Sequence, residues 1–151
     1  MQVEASTVIK VDPHEVFKFI AAPENAPRWQ EGAVSTRVTT PGPVRRGSEM
    51  EHVGRWMGLR LSTHATVTVF EPESEFGYDI MTAMSPTPSR MLYSLSTVAE
   101  GTNLTLSNQF TLPAIMAPLA PLVRRNVQRM FERDVDRLRH VLENAPPGSQ
   151  K

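Results

Sequence analysis

Between Val11 and Trp29 the chain reads VDPHEVFKFIAAPENAPRW, and this stretch decides how the rest must be arranged. Asp12 can accept from the free amides of a helix start, Pro13 suits the first helical position, and Glu15 stands at capping-box spacing. Val16, Phe17, Phe19 and Ile20 then supply one apolar face. Ala21 to Pro23 stops the helix, and PENAPRW has room only for a short second helix or turn. Trp29 is expected to fold inward from that turn and plug the end of a sheet, with a place on a cavity rim as the alternative.

Upstream, VEASTVIKV places Val3, Ala5, Thr7, Ile9 and Val11 on one parity, as a half-buried strand does. Downstream, from Gly32 to Leu112, six runs have β character: AVSTRVTT, SEMEHVGRWM, LRLSTHATVTVF, FGYDIMTAM, RMLYSLSTVA and TNLTLSNQFTL. The breaks between them, PGPVRRG, the glycine of MGL, EPESE, SPTPS and AEGT, carry the turn chemistry of an antiparallel meander. Beyond the prolines, Leu119, Leu122, Val123, Val127, Met130, Val135, Leu138 and Leu142 recur at spacings of three and four, with most charges opposite. A long amphipathic helix and a meander that each need one face covered give an α+β fold, the sheet curving around the helix. One domain is expected over residues 1–144, followed by a flexible tail over 145–151.

Composition narrows the function classes. Sixteen basic residues balance sixteen acidic ones in a chain of 151, leaving no net field to gather phosphates, so nucleic acid is not expected as a partner. The chain has no cysteine, and no histidine pair has metal-ligand spacing. No phosphate loop, dinucleotide fingerprint or nucleophile elbow is present, so neither metal nor cofactor is expected. The uncharged run from Gly101 to Val123 holds asparagines, a glutamine and three prolines, and reads as strand plus turn rather than a membrane span. With no export signal visible, a cytoplasmic protein is expected, as a monomer or homodimer.

The series VDPHEVFKFIAAPENAPRW, TTPGPVRRGSEME, VTVFEPESEFGY and GTNLTLSNQFTL, closed by the leucine-spaced helix, resembles the START/birch-pollen-allergen (SRPBCC) superfamily. Within it, the pattern is similar to that of the polyketide cyclase/dehydrase and lipid-transport-like branch. The resemblance covers about Val3 to Glu143 and implies the helix-grip fold: a curved seven-stranded antiparallel sheet around a long C-terminal helix, with two short helices between strands 1 and 2. It also implies a deep apolar cavity that holds a hydrophobic small molecule. It does not imply one chemistry, since relatives include cyclases, lipid carriers and co-chaperone-like interaction modules.

Taking the more apolar parity of each strand as inward gives the expected cavity wall. Val34, Val38, Met50, His52, Trp56, Leu61, Ala65, Val67, Phe76, Tyr78, Ile80, Met91, Tyr93, Leu95, Leu104, Leu106, Asn108 and Phe110 come from the sheet, and Leu119, Leu122, Val123, Asn126 and Met130 from the helix. His52, Tyr78 and Tyr93 are the candidates for proton transfer or ligand orientation, because they place polar atoms in a greasy interior. His14, His64 and His140 are expected to face solvent. Three readings therefore stand beside each other: binding of a lipid, aromatic or polyketide-like ligand, aldol-type cyclisation or dehydration in the same cavity, and a protein-interaction or co-chaperone-like module.

Overall fold

The computed structural model describes residues 1–56, 58–81 and 87–144, the side chain of Trp56 excepted. The expected tail over 145–151 lies outside the described residues. Seven strands form one antiparallel sheet: β1 (Gln2–Ile9), β2 (Ala33–Val38), β3 (Glu49–Trp56), β4 (Leu59–Glu71), β5 (Glu75–Met81), β6 (Ser89–Val98) and β7 (Gly101–Gln109). Their order is β1-β7-β6-β5-β4-β3-β2, a plain meander from β2 to β7 with β1 returned to the outside of β7. Helix α1 (Pro13–Ile20) and a 3₁₀ turn (Pro23–Arg28) separate β1 from β2. Since those strands are the two opposite edges, the helices carry the chain across the sheet. A second 3₁₀ turn (Ala114–Leu119) leads into α2 (Ala120–Asn144). This is the helix-grip fold.

Local chemistry accounts for the elements. The Asp12 carboxylate accepts from the amide of Glu15 at 3.1 Å, and Pro13 opens α1. Val16, Phe17, Phe19 and Ile20 are buried beneath it. Phe17 meets Phe70 and Phe76 edge-on, at 5.4 and 6.3 Å between ring centroids. Trp29 does turn inward: it is 2% exposed and lies edge-on to Tyr93 at 5.9 Å.

Helix α2 grips both edges of the sheet. On the β1 side, Gln128 donates to the carbonyl of Glu4 at 2.6 Å and accepts from its amide, while Glu143 accepts from the amide of Lys10 at 2.8 Å. Backbone groups that an edge strand would leave open are thereby satisfied by side chains. On the β2 side, Asp134 accepts from the amide of Glu31 at 2.9 Å, and Arg133 pairs with the Glu31 carboxylate at 2.9 Å. Between these ties, Phe131, Val135, Leu138 and Leu142 enter the core.

Two irregularities change the inward parity expected of the strands. The pairing of β4 with β5 slips between Val67 and Val69, so Phe70, rather than Val69, reaches the core. A slip in β2 between Ala33 and Ser35 leaves Ala33 rather than Val34 on the cavity wall.

Close backbone approach dictates one glycine. Gly101 begins β7 at φ +145°, and a Cβ there would fall on the carbonyl oxygen of Ile9 and within 2.8 Å of the Val11 amide. Gly47, at φ +93°, has open space around it. Gly47→Ala is therefore expected to cost about 1–2 kcal/mol through backbone conformation alone, and Gly101→Ala distinctly more, through backbone displacement as well. Urea denaturation of both variants measures this; equal midpoints would contradict it.

Candidate functional site

Sheet and α2 do not close on each other completely. A cavity of about 290 Å³ lies between them, walled by Leu61, Ile80, Met91 and Leu106 from the sheet and by Met130 and Phe131 from α2. It adjoins a narrower inner lobe of about 20 Å³, room for roughly one water, bounded by Trp29, Met50, Phe76 and Tyr93. Gln30, His52 and Tyr78 stand on the walls of both.

Polar groups gather where the lobes meet. The Tyr78 and Tyr93 hydroxyls are 3.0 Å apart, and the amide of Gln30 donates to the Tyr93 hydroxyl at 3.1 Å. Burial raises the pKa of both phenols, Tyr93 well above its usual value, so at neutral pH they act as hydroxyl donors and not as phenolates. On β3, two strands from Tyr78 in the same sheet, His52 Nδ1 lies 2.9 Å from the Thr36 hydroxyl. Burial lowers the His52 pKa, which keeps the imidazole neutral at pH 7.

Two members of this group lie outside the expected set, Gln30 and a fifth residue, Asp134. Asp134 is 3% exposed and faces the cavity from α2, and burial pushes its pKa up to about 6 against the pull of the Glu31 amide and of Arg137 and Arg133. Sequence carried a signal for it. Asp134 follows Met130 by four residues and precedes Leu138 by four, which puts an acid in the apolar register of the helix.

The other expected wall residues divide clearly. Met50, Met91, Leu106, Asn108 and Met130 line one lobe or the other, whereas Val67 is 1% exposed in the core and Phe110 packs against the core. The Asn108 amide is spent on the sheet, donating to the Ser89 hydroxyl at 2.9 Å and the Arg90 carbonyl at 3.1 Å. Leu122 faces outward at 57% exposure, and Asn126 is exposed in an open groove beside Gly32, Arg55 and Met130 at the cavity edge, because the buried stripe of α2 starts from Val123 and leaves 122 and 126 on a neighbouring line. Trp56 lies in β3, but its side chain lies outside the described residues. His14, His64 and His140 are exposed beside Glu73, Glu49 and Asp136. Among the described residues, no three metal-ligating side chains come together, and no helix is long and apolar enough to cross a membrane.

The profile of the family described as polyketide cyclase/dehydrase and lipid transport matches residues 1–143. The chain belongs to this polyketide cyclase/dehydrase and lipid transport family. No curated protein matches it. Among solved structures, a protein of Thermus thermophilus superposes with a TM-score of 0.80 at 17% identity, over 97% of this chain and 100% of that one. The di-domain ARO/CYC BexL from the BE-7585A biosynthetic pathway gives 0.77 at 14% identity, over 97% of this chain and 51% of its own. Ara h 8.0201 gives 0.63 at 15%, over 95% and 99%. At these identities the likeness is one of fold. This member of the polyketide cyclase/dehydrase and lipid transport family differs from a fully packed helix-grip core by its open space and by the Gln30, Tyr78, Tyr93, His52 and Asp134 groups around it.

Asp134 gives the fold a pH dependence of definite sign. Because its folded pKa is raised from 3.8 to about 6, the stability present below pH 4 is lost as pH rises through 6. The loss is at most about 3 kcal/mol at 1.36 kcal/mol per unit. Asp134→Asn keeps an acceptor for the Glu31 amide and removes the buried charge. It should raise the melting temperature at pH 8 and leave it unchanged at pH 4, as measured by circular dichroism; a lower melting temperature at pH 8 would contradict this.

Proposed function

We propose that this protein binds a hydrophobic small molecule in the cavity between the sheet and α2. The observation that carries the reading is the cavity itself: about 290 Å³ in volume, walled by strands β2 to β7 and by α2, with mostly apolar walls and a few polar side chains among them. That division suits a ligand with an apolar body and one or two polar atoms. Burial of the body drives association at about 25 cal/mol per Å², and the hydroxyls fix its orientation, because a buried polar atom left unpaired costs about 1–3 kcal/mol. Volume near the lower end of small-molecule sites favours a compact ring system or short chain over a full-length lipid. Family membership supports a hydrophobic ligand in general terms, and a cytoplasmic carrier is the form the reading takes.

Saturable uptake of the neutral fluorescent probe N-phenylnaphthylamine tests it. The wild-type protein is expected to bind one equivalent. Met130→Trp, which fills the edge of the cavity where Met130 is only partly buried, should weaken binding about tenfold or more with little change in melting temperature. Absence of saturable binding to the wild type would refute the reading.

One observation favours a second reading, aldol-type cyclisation or dehydration. The Gln30–Tyr93–Tyr78 chain brings hydroxyl groups to the cavity on the same sheet as a neutral His52, an arrangement that can stabilise an oxyanion and accept a proton. It requires product from a polyketone substrate and purified protein. Tyr78→Phe and His52→Ala should then lower kcat more than they raise KM; unchanged turnover in both variants would remove these residues from the chemistry.

A further inference from the structure

Asp134 is buried without a counter-ion, and this bears on what the cavity can hold. One carboxylate oxygen accepts from the Glu31 amide, a tether that a neutral asparagine would serve equally well. Its neighbours on α2 and across from it are paired: Asp136 with Arg139 at 2.7 Å, and Glu31 with Arg133 at 2.9 Å. Among the described residues no basic group lies within ion-pair distance of Asp134 itself. Buried carboxylates are normally paired, since an isolated charge in an apolar interior is strongly disfavoured.

The groups that face Asp134 offer no substitute. The sheet presents the Tyr78 and Tyr93 hydroxyls and the neutral His52, the segment before β2 presents Glu31, and α2 itself brings Arg133 and Arg137 only at longer range. Among the described residues, Arg55, at the rim, is the one permanently charged basic residue on the cavity wall. It is exposed and directly opposes Arg60 in register, and strand parity sends both side chains to the outer face, away from Met50 and His52. Among the described residues the interior thus carries a negative group, several acceptors and no cation.

Resting on the reading of this cavity as a small-molecule site, we infer that its ligand is a hydrophobic molecule whose head group is a basic nitrogen, seated as an ammonium against the Asp134 carboxylate. The ammonium supplies the missing counter-charge, and its remaining donors reach acceptors already at the lobe junction, such as the Tyr78 hydroxyl oxygen. A hydrophobic acid of the same shape brings a second negative charge beside Asp134 and is rejected; an alcohol falls between the two, as a neutral donor.

Three matched compounds test the assignment: phenylbutylamine, phenylbutanol and phenylbutanoate, each used to displace N-phenylnaphthylamine from the full chain at about pH 8, where Asp134 is ionised and the amine protonated. The expected order is amine, then alcohol, then acid, with about tenfold or more between amine and acid. In Asp134→Asn, shown to be folded by circular dichroism, the amine-to-acid ratio should fall to within about twofold. Comparable affinities for all three in the wild type, or tightest binding of the acid, overturn the inference and leave the cavity as a general apolar site. Binding of the fluorescent probe but of none of the three also overturns it. Failure of the probe itself to bind would overturn the cavity reading and this inference together. A ratio unchanged in Asp134→Asn would move the selectivity to another group and overturn the role given to Asp134.

Discussion

Everything in this structure depends on one helix being tied to both edges of one sheet. Gln128 and Glu143 close the open side of β1, while Asp134 and Arg133 hold the residue that precedes β2. A seven-stranded meander left flat would expose two edges and one apolar face. Curling it until both edges reach α2 satisfies the edge groups and covers the face at once. Curvature follows from that closure, and the bulges in β2 and β4 are where the strands bend.

Closure at the edges does not require contact in the middle. Toward the C-terminal end of α2, Val135, Leu138 and Leu142 are buried in the same core as residues of β1, α1 and the aromatic cluster around Phe76. Farther back along the helix, the side chains that could fill the gap are Val127 and Met130, and both are only partly buried. The space they leave is the cavity. Its polar groups lie at the inner end, where Trp29 and the Tyr93 ring, stacked on Phe76, form a fixed floor. A rigid floor with an adaptable methionine-lined side suits selection by head group and tolerance of body shape.

Much of this was legible in the chain. The Asp12–Pro13–Glu15 helix start, the turn chemistry between β-like runs and the three-four spacing after the prolines are local signals, and local signals survive into the fold. So did the parity of Met50, His52, Tyr78, Met91, Tyr93 and Leu106, because those strand segments run without a slip. What could not be read needed long-range information. No local feature marks the bulge after Val67 that sends Phe70 inward, or the one that exchanges Val34 for Ala33. Leu122 and Asn126 look apolar-adjacent in sequence, yet the line of α2 that the sheet covers starts one residue later. Asp134 was readable as an acid in an apolar register, but its tie to Glu31 spans 103 positions and belongs to the closed fold alone.

The proposed ligand site is a cavity that stays open inside an otherwise packed protein. Methyl-labelled methionine NMR addresses it directly, because the methionines sample both environments: Met91 and Met130 line the main cavity, Met50 the inner lobe, while Met1 and Met81 are exposed. Titration with the neutral probe should shift the Met91 and Met130 methyl resonances, and Met50 in smaller degree, and leave Met1 and Met81 in place. Shifts confined to Met1 or Met81, or no shift at Met91 and Met130 under saturating probe, would contradict it.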